Sequence, residues 1–132
     1  MRVTIDTTAA RGCVIKGCRS TSTVYRHHKG CDHLIGMYNA LIRLQYAEFR
    51  DCCDVCDKHH MWIHFNYRRI IKGWTDWSPQ GALRLRAKLI AKCDRLISGE
   101  DKLNKPTKQF VQYWRRRRRK WLKAMRQGRQ SN

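Results

Sequence analysis

At 132 residues the chain has room for one domain with an appendage, not for two large cores. Its 29 Lys and Arg stand against 10 Asp and Glu, a formal charge of +19 with a pI near 10.3, so the expected partner is a polyanion, nucleic acid first. A mean hydropathy of −0.73 and the lack of a long apolar run argue against a membrane partner.

The opening Met1-Arg2-Val3-Thr4-Ile5-Asp6 does not read as a signal peptide. The expectation is an intracellular, cytoplasmic protein whose thiols stay reduced. Seven cysteines, an odd number, fit a disulfide framework poorly and metal ligation better.

Residues 1–12 are short, polar and β-leaning, a lead-in. Cys13-Val14-Ile15-Lys16-Gly17-Cys18 follows, a Cys-x4-Cys turn in which Gly17 allows the positive φ that a tight knuckle needs. Thr23 to Tyr25 favour a strand that His27 and His28 would end. Adjacent strand residues face opposite ways, so one of the two histidines can meet a metal while the other faces elsewhere. A solvated histidine pair in a basic loop is the plainer alternative.

Apolar residues from Leu34 to Tyr46 recur at helical spacing and predict a helix over 33–46, with Asp32 as its cap. An extended stretch through Cys52 and Cys53 leads to Val55-Cys56-Asp57-Lys58-His59-His60-Met61-Trp62-Ile63-His64, where ligand-type residues are densest. A helix is expected from Asp57 to about Lys72, ended by Gly73, with His60 and His64 on one face. Ser78-Pro79 starts another to about Ile97, with Arg84, Arg86, Lys88, Lys92 and Arg95 on its exposed side. Thr107 caps a last helix whose stripe of Phe110, Val111, Trp114, Trp121, Leu122 and Met125 accompanies the run Arg115-Arg116-Arg117-Arg118-Arg119-Lys120. Such a run repels itself unless phosphate or solvent neutralises it, and the two tryptophans bracketing it can stack or anchor. An acidic surface on another DNA-processing protein is a further possible partner for it.

Structural zinc takes four ligands, usually as two separated pairs. Cys13 and Cys18 make one pair. The other is Cys53 with Cys56, or Cys56 with His59. A single Cys2His2 site from Cys13, Cys18, His60 and His64 would leave His27, His28 and His59 unexplained. Three imidazoles around a divalent ion, beside a free histidine, form a hydrolytic arrangement: the ion polarises a phosphate and the free imidazole takes a proton from water.

Taken together, these motifs resemble those of the HNH endonucleases, and in particular a zinc-bearing subgroup common among phage proteins. That subgroup carries a signature like Leu-Cys-x-x-Cys-His-x-x-Ile-His, which the stretch from Val55 to His64 matches without a gap if His59 replaces the second cysteine. Cys13-x4-Cys18 followed by Arg26-His27-His28-Lys29 is similar too, so the likeness spans residues 13–64.

The resemblance implies an α+β, mostly helical fold, with a small ββα-metal core, a structural zinc knuckle and flanking basic helices. It implies a lead-in at 1–12, an HNH-like domain at 13–73 and a basic, DNA-binding extension at 74–132. Position by position, His28 resembles the general base, His27, His60 and His64 the ligands of a catalytic Zn2+, Ni2+, Mg2+ or Mn2+, and Cys13, Cys18, Cys56 and His59 the structural Zn2+ set. The family's Asn falls at Asp51, a departure: aspartate can ligate a metal or accept a hydrogen bond but cannot donate one. The function implied is a metal-dependent DNA endonuclease, in a host-cell cytoplasm if phage-encoded, in which Arg115 to Lys120 hold the nucleic acid. The alternative is an inactive, zinc-stabilised, basic nucleic-acid binder.

Overall fold

The computed structural model describes residues 12–20, 23–38 and 50–130. In chain order these form strand β1 (Val24–His28), helix α1 (Asp32–Tyr38), strand β2 (Cys52–Cys56), and helices α2 (Asp57–Lys72), α3 (Pro79–Ser98) and α4 (Lys108–Gln130). The architecture is α+β and mostly helical, as expected. The helix anticipated over 33–46 runs as α1 to Tyr38, and its remainder, like nearly all of the lead-in, lies outside the described residues.

β1 and β2 form an antiparallel ribbon that pairs Val24 with Cys56, His27 with Cys53 and His28 with Cys52. The knuckle ahead of β1 is hooked to the ribbon by Val14 N–H donating to Asp54 O at 2.8 Å, and to the end of α3 by Lys16 N–H donating to Ile97 O at 3.3 Å. Gly17 takes φ +83 inside it, the left-handed conformation its position called for.

No loop separates β2 from α2. Cys56 ends the strand in extended conformation and caps the helix, its sulfur accepting from His59 N–H at 3.4 Å. This places Cys56 and His59 in one knot and leaves His60 and His64 to the next face of α2. Ser78 caps α3 by accepting from Gly81 N–H at 3.1 Å, and Gly99 ends it at φ +87. Thr107 caps α4 through Phe110 N–H at 3.2 Å.

One core joins these pieces. Ile15, Ile35, Val55, Ile63 and Tyr67 pack with Ala82, Leu85, Leu89, Cys93 and Leu96 of α3. Each fully buried leucine contributes about 1.5–3 kcal/mol relative to exposure. The boundary expected at 73/74 therefore does not divide two packed units: α3 supplies much of the core of the ribbon and α2. Arg86, assigned in sequence to an exposed face, is turned inward, with 13% of its side chain exposed. Two carboxylates draw it there, as described below.

Candidate metal centres

The first cluster gathers Cys13 and Cys18 from the knuckle, Cys56 from the end of β2 and His59 from the first turn of α2. Their ligand atoms all lie within 4.8 Å of one another. Cys13 Sγ and Cys56 Sγ each sit 3.3 Å from His59 Nδ1, and Cys18 Sγ is 4.0 Å from Cys56 Sγ. Tetrahedral zinc with bonds of about 2.3 Å to sulfur and 2.0–2.1 Å to nitrogen has edges of roughly 3.8 Å (S···S) and 3.6 Å (S···N). The observed spacings bracket those edges.

Two backbone donors also point at the sulfurs, His59 N–H to Cys56 and Ser20 N–H to Cys18. Burial, the largest influence, pushes the Cys13 thiol up to about 12 in the metal-free protein, so a bound cation is what would make its thiolate stable. Cys53, the rival ligand in the sequence, is not in this cluster. It alternates to the other side of the ribbon from Cys56's group and packs against the core, its free thiol hydrogen-bonded to that of Cys93.

The second cluster is His27 of β1 with His60 and His64 of α2. Ring centroids are 5.4 Å apart for His27 and His60, 5.0 Å for His27 and His64, and 4.9 Å for His60 and His64. The i, i+4 spacing on α2 and the inward phase of β1 bring the three imidazoles together. His27 and His60 are 1% and 2% exposed, and His60 Nε2 is buried with no hydrogen-bond partner. A buried lone pair without a donor is costly in a dry core and favourable beside a cation.

Burial, the leading cause, holds the His60 pKa down at about 4 and depresses His27 and His64 in the same direction. All three are therefore neutral near pH 7, the state in which imidazole ligates. Tyr67 orients His27: its hydroxyl donates to Lys29 O at 2.7 Å, so its oxygen accepts from His27 Nε2–H at 3.1 Å. That bond leaves Nδ1 of His27 as the nitrogen with a lone pair to offer. Both clusters could hold a metal such as zinc.

A layer that the sequence did not reveal covers this centre. Trp114 of α4 lies 5.3 Å from the ring of His60 and 4.9 Å from that of His64, and Tyr25 stacks on His60 at 5.6 Å. Arg118 lies over the Tyr25 ring, bonds the Tyr25 hydroxyl and donates to Asp57 Oδ2 at 2.9 Å. One member of the basic run thus faces the metal centre, while Arg115, Arg116, Arg117, Arg119 and Lys120 are exposed. The Trp121 side chain, the other expected bracket, lies outside the described residues.

His28, next to His27 on the strand, turns to different neighbours: its Nδ1 is 3.4 Å from Cys52 Sγ and 3.3 Å from Asp32 Oδ2. Asp51 is exposed and lies in neither cluster; its Oδ2 accepts from Arg86 Nη2 at 2.8 Å. Asp32 itself, expected only to cap α1, accepts from Arg86 Nε at 2.7 Å. Compared with known protein families, curated proteins and solved structures, the chain matches none.

Proposed function

We infer that this chain is a metal-dependent DNA endonuclease of the HNH type. The observation carrying the reading is the convergence of His27, His60 and His64 around a buried, unpartnered nitrogen, with His28 adjacent on the same strand. Four neutral or thiol ligands at zinc-like spacing in the knuckle support a separate structural Zn2+, held by Cys13, Cys18, Cys56 and His59. A divalent ion held by the three imidazoles would supply Lewis-acid stabilisation of charge on the scissile phosphate. His28 accepts the proton of the attacking water at Nε2, the nitrogen turned away from Cys52 Sγ and Asp32 Oδ2, which lie 3.4 and 3.3 Å from Nδ1. Tyr67 keeps His27 in one tautomer, and the exposed arginines of α4 hold backbone phosphates. Among the described residues no helix is long and apolar enough to cross a membrane.

A second reading, an inactive zinc-stabilised nucleic-acid binder, is favoured by Trp114 lying over His60 and His64 and by Asp51 being paired with Arg86. A plasmid-nicking assay under Mg2+, Mn2+, Ni2+ and Zn2+ separates the two. The nuclease reading expects nicks from the wild type in at least one metal, loss of cleavage in His28→Ala and His64→Ala, and unchanged DNA binding in His28→Ala. Tight binding with no cleavage in any metal establishes the second reading, and wild-type cleavage by His28→Ala removes the mechanism.

A further inference from the structure

The imidazole of His28 meets a polar network, buried at Asp32, drawn from three other parts of the chain. Asp32 is 3% exposed, and a carboxylate so placed needs a countercharge. Arg86 of α3 provides it, Nε donating to Asp32 Oδ1 at 2.7 Å while Nη2 donates to Asp51 Oδ2 at 2.8 Å. Among the described residues Asp32 Oδ2 is buried without a hydrogen-bond partner, and it lies 3.3 Å from His28 Nδ1. Arg86 reaches this position past Gly30, where any Cβ would collide with its Cγ.

We propose that Asp32, locked by Arg86, is the positioning residue of His28, holding its proton on Nδ1 so that the Nε2 lone pair faces the water to be activated. The inference rests on the nuclease reading given above. At 3.3 Å the contact is longer than the best N–H···O bonds of about 2.9 Å, and Cys52 Sγ shares the Nδ1 side at 3.4 Å. Such contacts tighten in substrate complexes. In the step itself a water O–H bond breaks and its proton goes to His28 Nε2. The hydroxide oxygen bonds phosphorus as the P–O bond to the leaving oxygen breaks, and that oxygen takes a proton from solvent. The imidazolium so formed lies beside the Asp32 carboxylate, which touches neither water nor phosphate and is not itself catalytic. The arrangement also explains why α3 is built into the core: it carries the arginine that fixes the acid.

Asp32→Asn tests this in the full chain. Arg86 Nε requires an acceptor, so the amide oxygen stays on Arg86 and the NH2 faces His28 Nδ1. That donor forces the proton to Nε2, the wrong nitrogen. The expected result is a fall in kcat of about 10²- to 10⁴-fold, the contribution of a general base, with KM for DNA and zinc content unchanged. Asp32→Asn added to His28→Ala gives no further loss. Imidazole 15N spectra expect an Nδ1–H tautomer for His28 in the wild type and an Nε2–H tautomer in Asp32→Asn. Should Asp32→Asn not fold, Arg86→Lys keeps the charge but loses the fork, and expects a kcat loss at constant KM. Additive loss in the double variant, a changed KM with constant kcat, or an unchanged tautomer overturns the proposal. If the wild type cuts no DNA, the nuclease reading fails, and the 15N spectra alone decide whether Asp32 orients His28.

Discussion

Replacing Cys56 by Ser tests the knuckle more sharply than removing any other ligand. Serine is as good an N-cap as any residue, so the start of α2 keeps its hydrogen bond from His59 N–H and the change isolates the sulfur. Cys56 is fully buried, within 3.3 Å of His59 Nδ1 and 4.0 Å of Cys18 Sγ, so no solvent ligand can take its place without opening the knuckle. Structural zinc is worth about 10–16 kcal/mol in small zinc domains, against a total stability of about 5–15 kcal/mol for a domain this size. Emptying the site therefore removes most of the margin. The matched variant is Cys53→Ser, whose sulfur packs beside Cys93 rather than in the cluster.

The assay is elemental analysis of protein washed with a mild chelator, paired with circular-dichroism melts. Wild type and Cys53→Ser should each retain a full equivalent of tightly held zinc and melt alike to within a few degrees. Cys56→Ser should retain none and lose its cooperative transition. Zinc loss in Cys53→Ser with retention in Cys56→Ser would refute the ligand assignment. An unchanged melting temperature after complete zinc removal would refute the structural role.

Acid should weaken the metal-free protein. The folded pKa of His60 is depressed from 6.5 to about 4, so between those values the unfolded chain binds the proton and the folded chain does not. The His60 share of stability is full above pH 6.5 and falls by about 3 kcal/mol as pH drops to 4, seen in urea melts at stepped pH; His60→Phe should make the profile shallower, leaving the acid sensitivity that buried His27 and His64 contribute in the same direction. Replacing exposed Arg115, Arg116 and Arg119 by Gln should reduce the slope of log K against log salt by about 0.9 per lost phosphate contact. An unchanged slope would show that phosphates bind elsewhere. Leu89→Ala, in the fully buried face of α3, should cost about 2–5 kcal/mol in chemical denaturation; a loss under 1 kcal/mol would mean that α3 is not integral to the core.

Helix limits were the most legible part of the sequence because their signals are local. Gly73, Ser78-Pro79 and Thr107 act within one turn of their own residues, and α2 and α3 begin and end within a residue of the expected limits. Both clusters were readable as groupings as well: the i, i+4 and Cys-x2-His spacings constrain geometry before any tertiary contact forms. Choosing His59 over Cys53 was harder. It depends on strand phase, since Cys53 and Cys56 lie an odd number of residues apart on β2 and so face opposite sides of the ribbon. The environment of His28 was not legible at all. Asp32 reads as a helix cap and Arg86 as one cation among five on an exposed stripe. Only the packing of α3 against the turn at Gly30 brings them together, and no pattern in the chain announces a pairing across 54 residues. Trp114 was noted as an anchor for the basic run, but its seat on His60 and His64 depends on how α4 folds back.

The bond from Lys16 N–H to Ile97 O ties the Cys13–Cys18 knuckle to the last turn of α3. Cys13 and Cys18 flank that bond, and Ile15 between them is part of the same core as Leu89 and Leu96. The knuckle is therefore not a separate clasp that can open while the rest stays shut. Swinging Cys13 or Cys18 away from the cluster means withdrawing Ile15 from α3. The residence time of a bound ion is then set by how often the core opens, so exchange with free zinc in solution should be as slow as global unfolding and should quicken in step with it as denaturant is added.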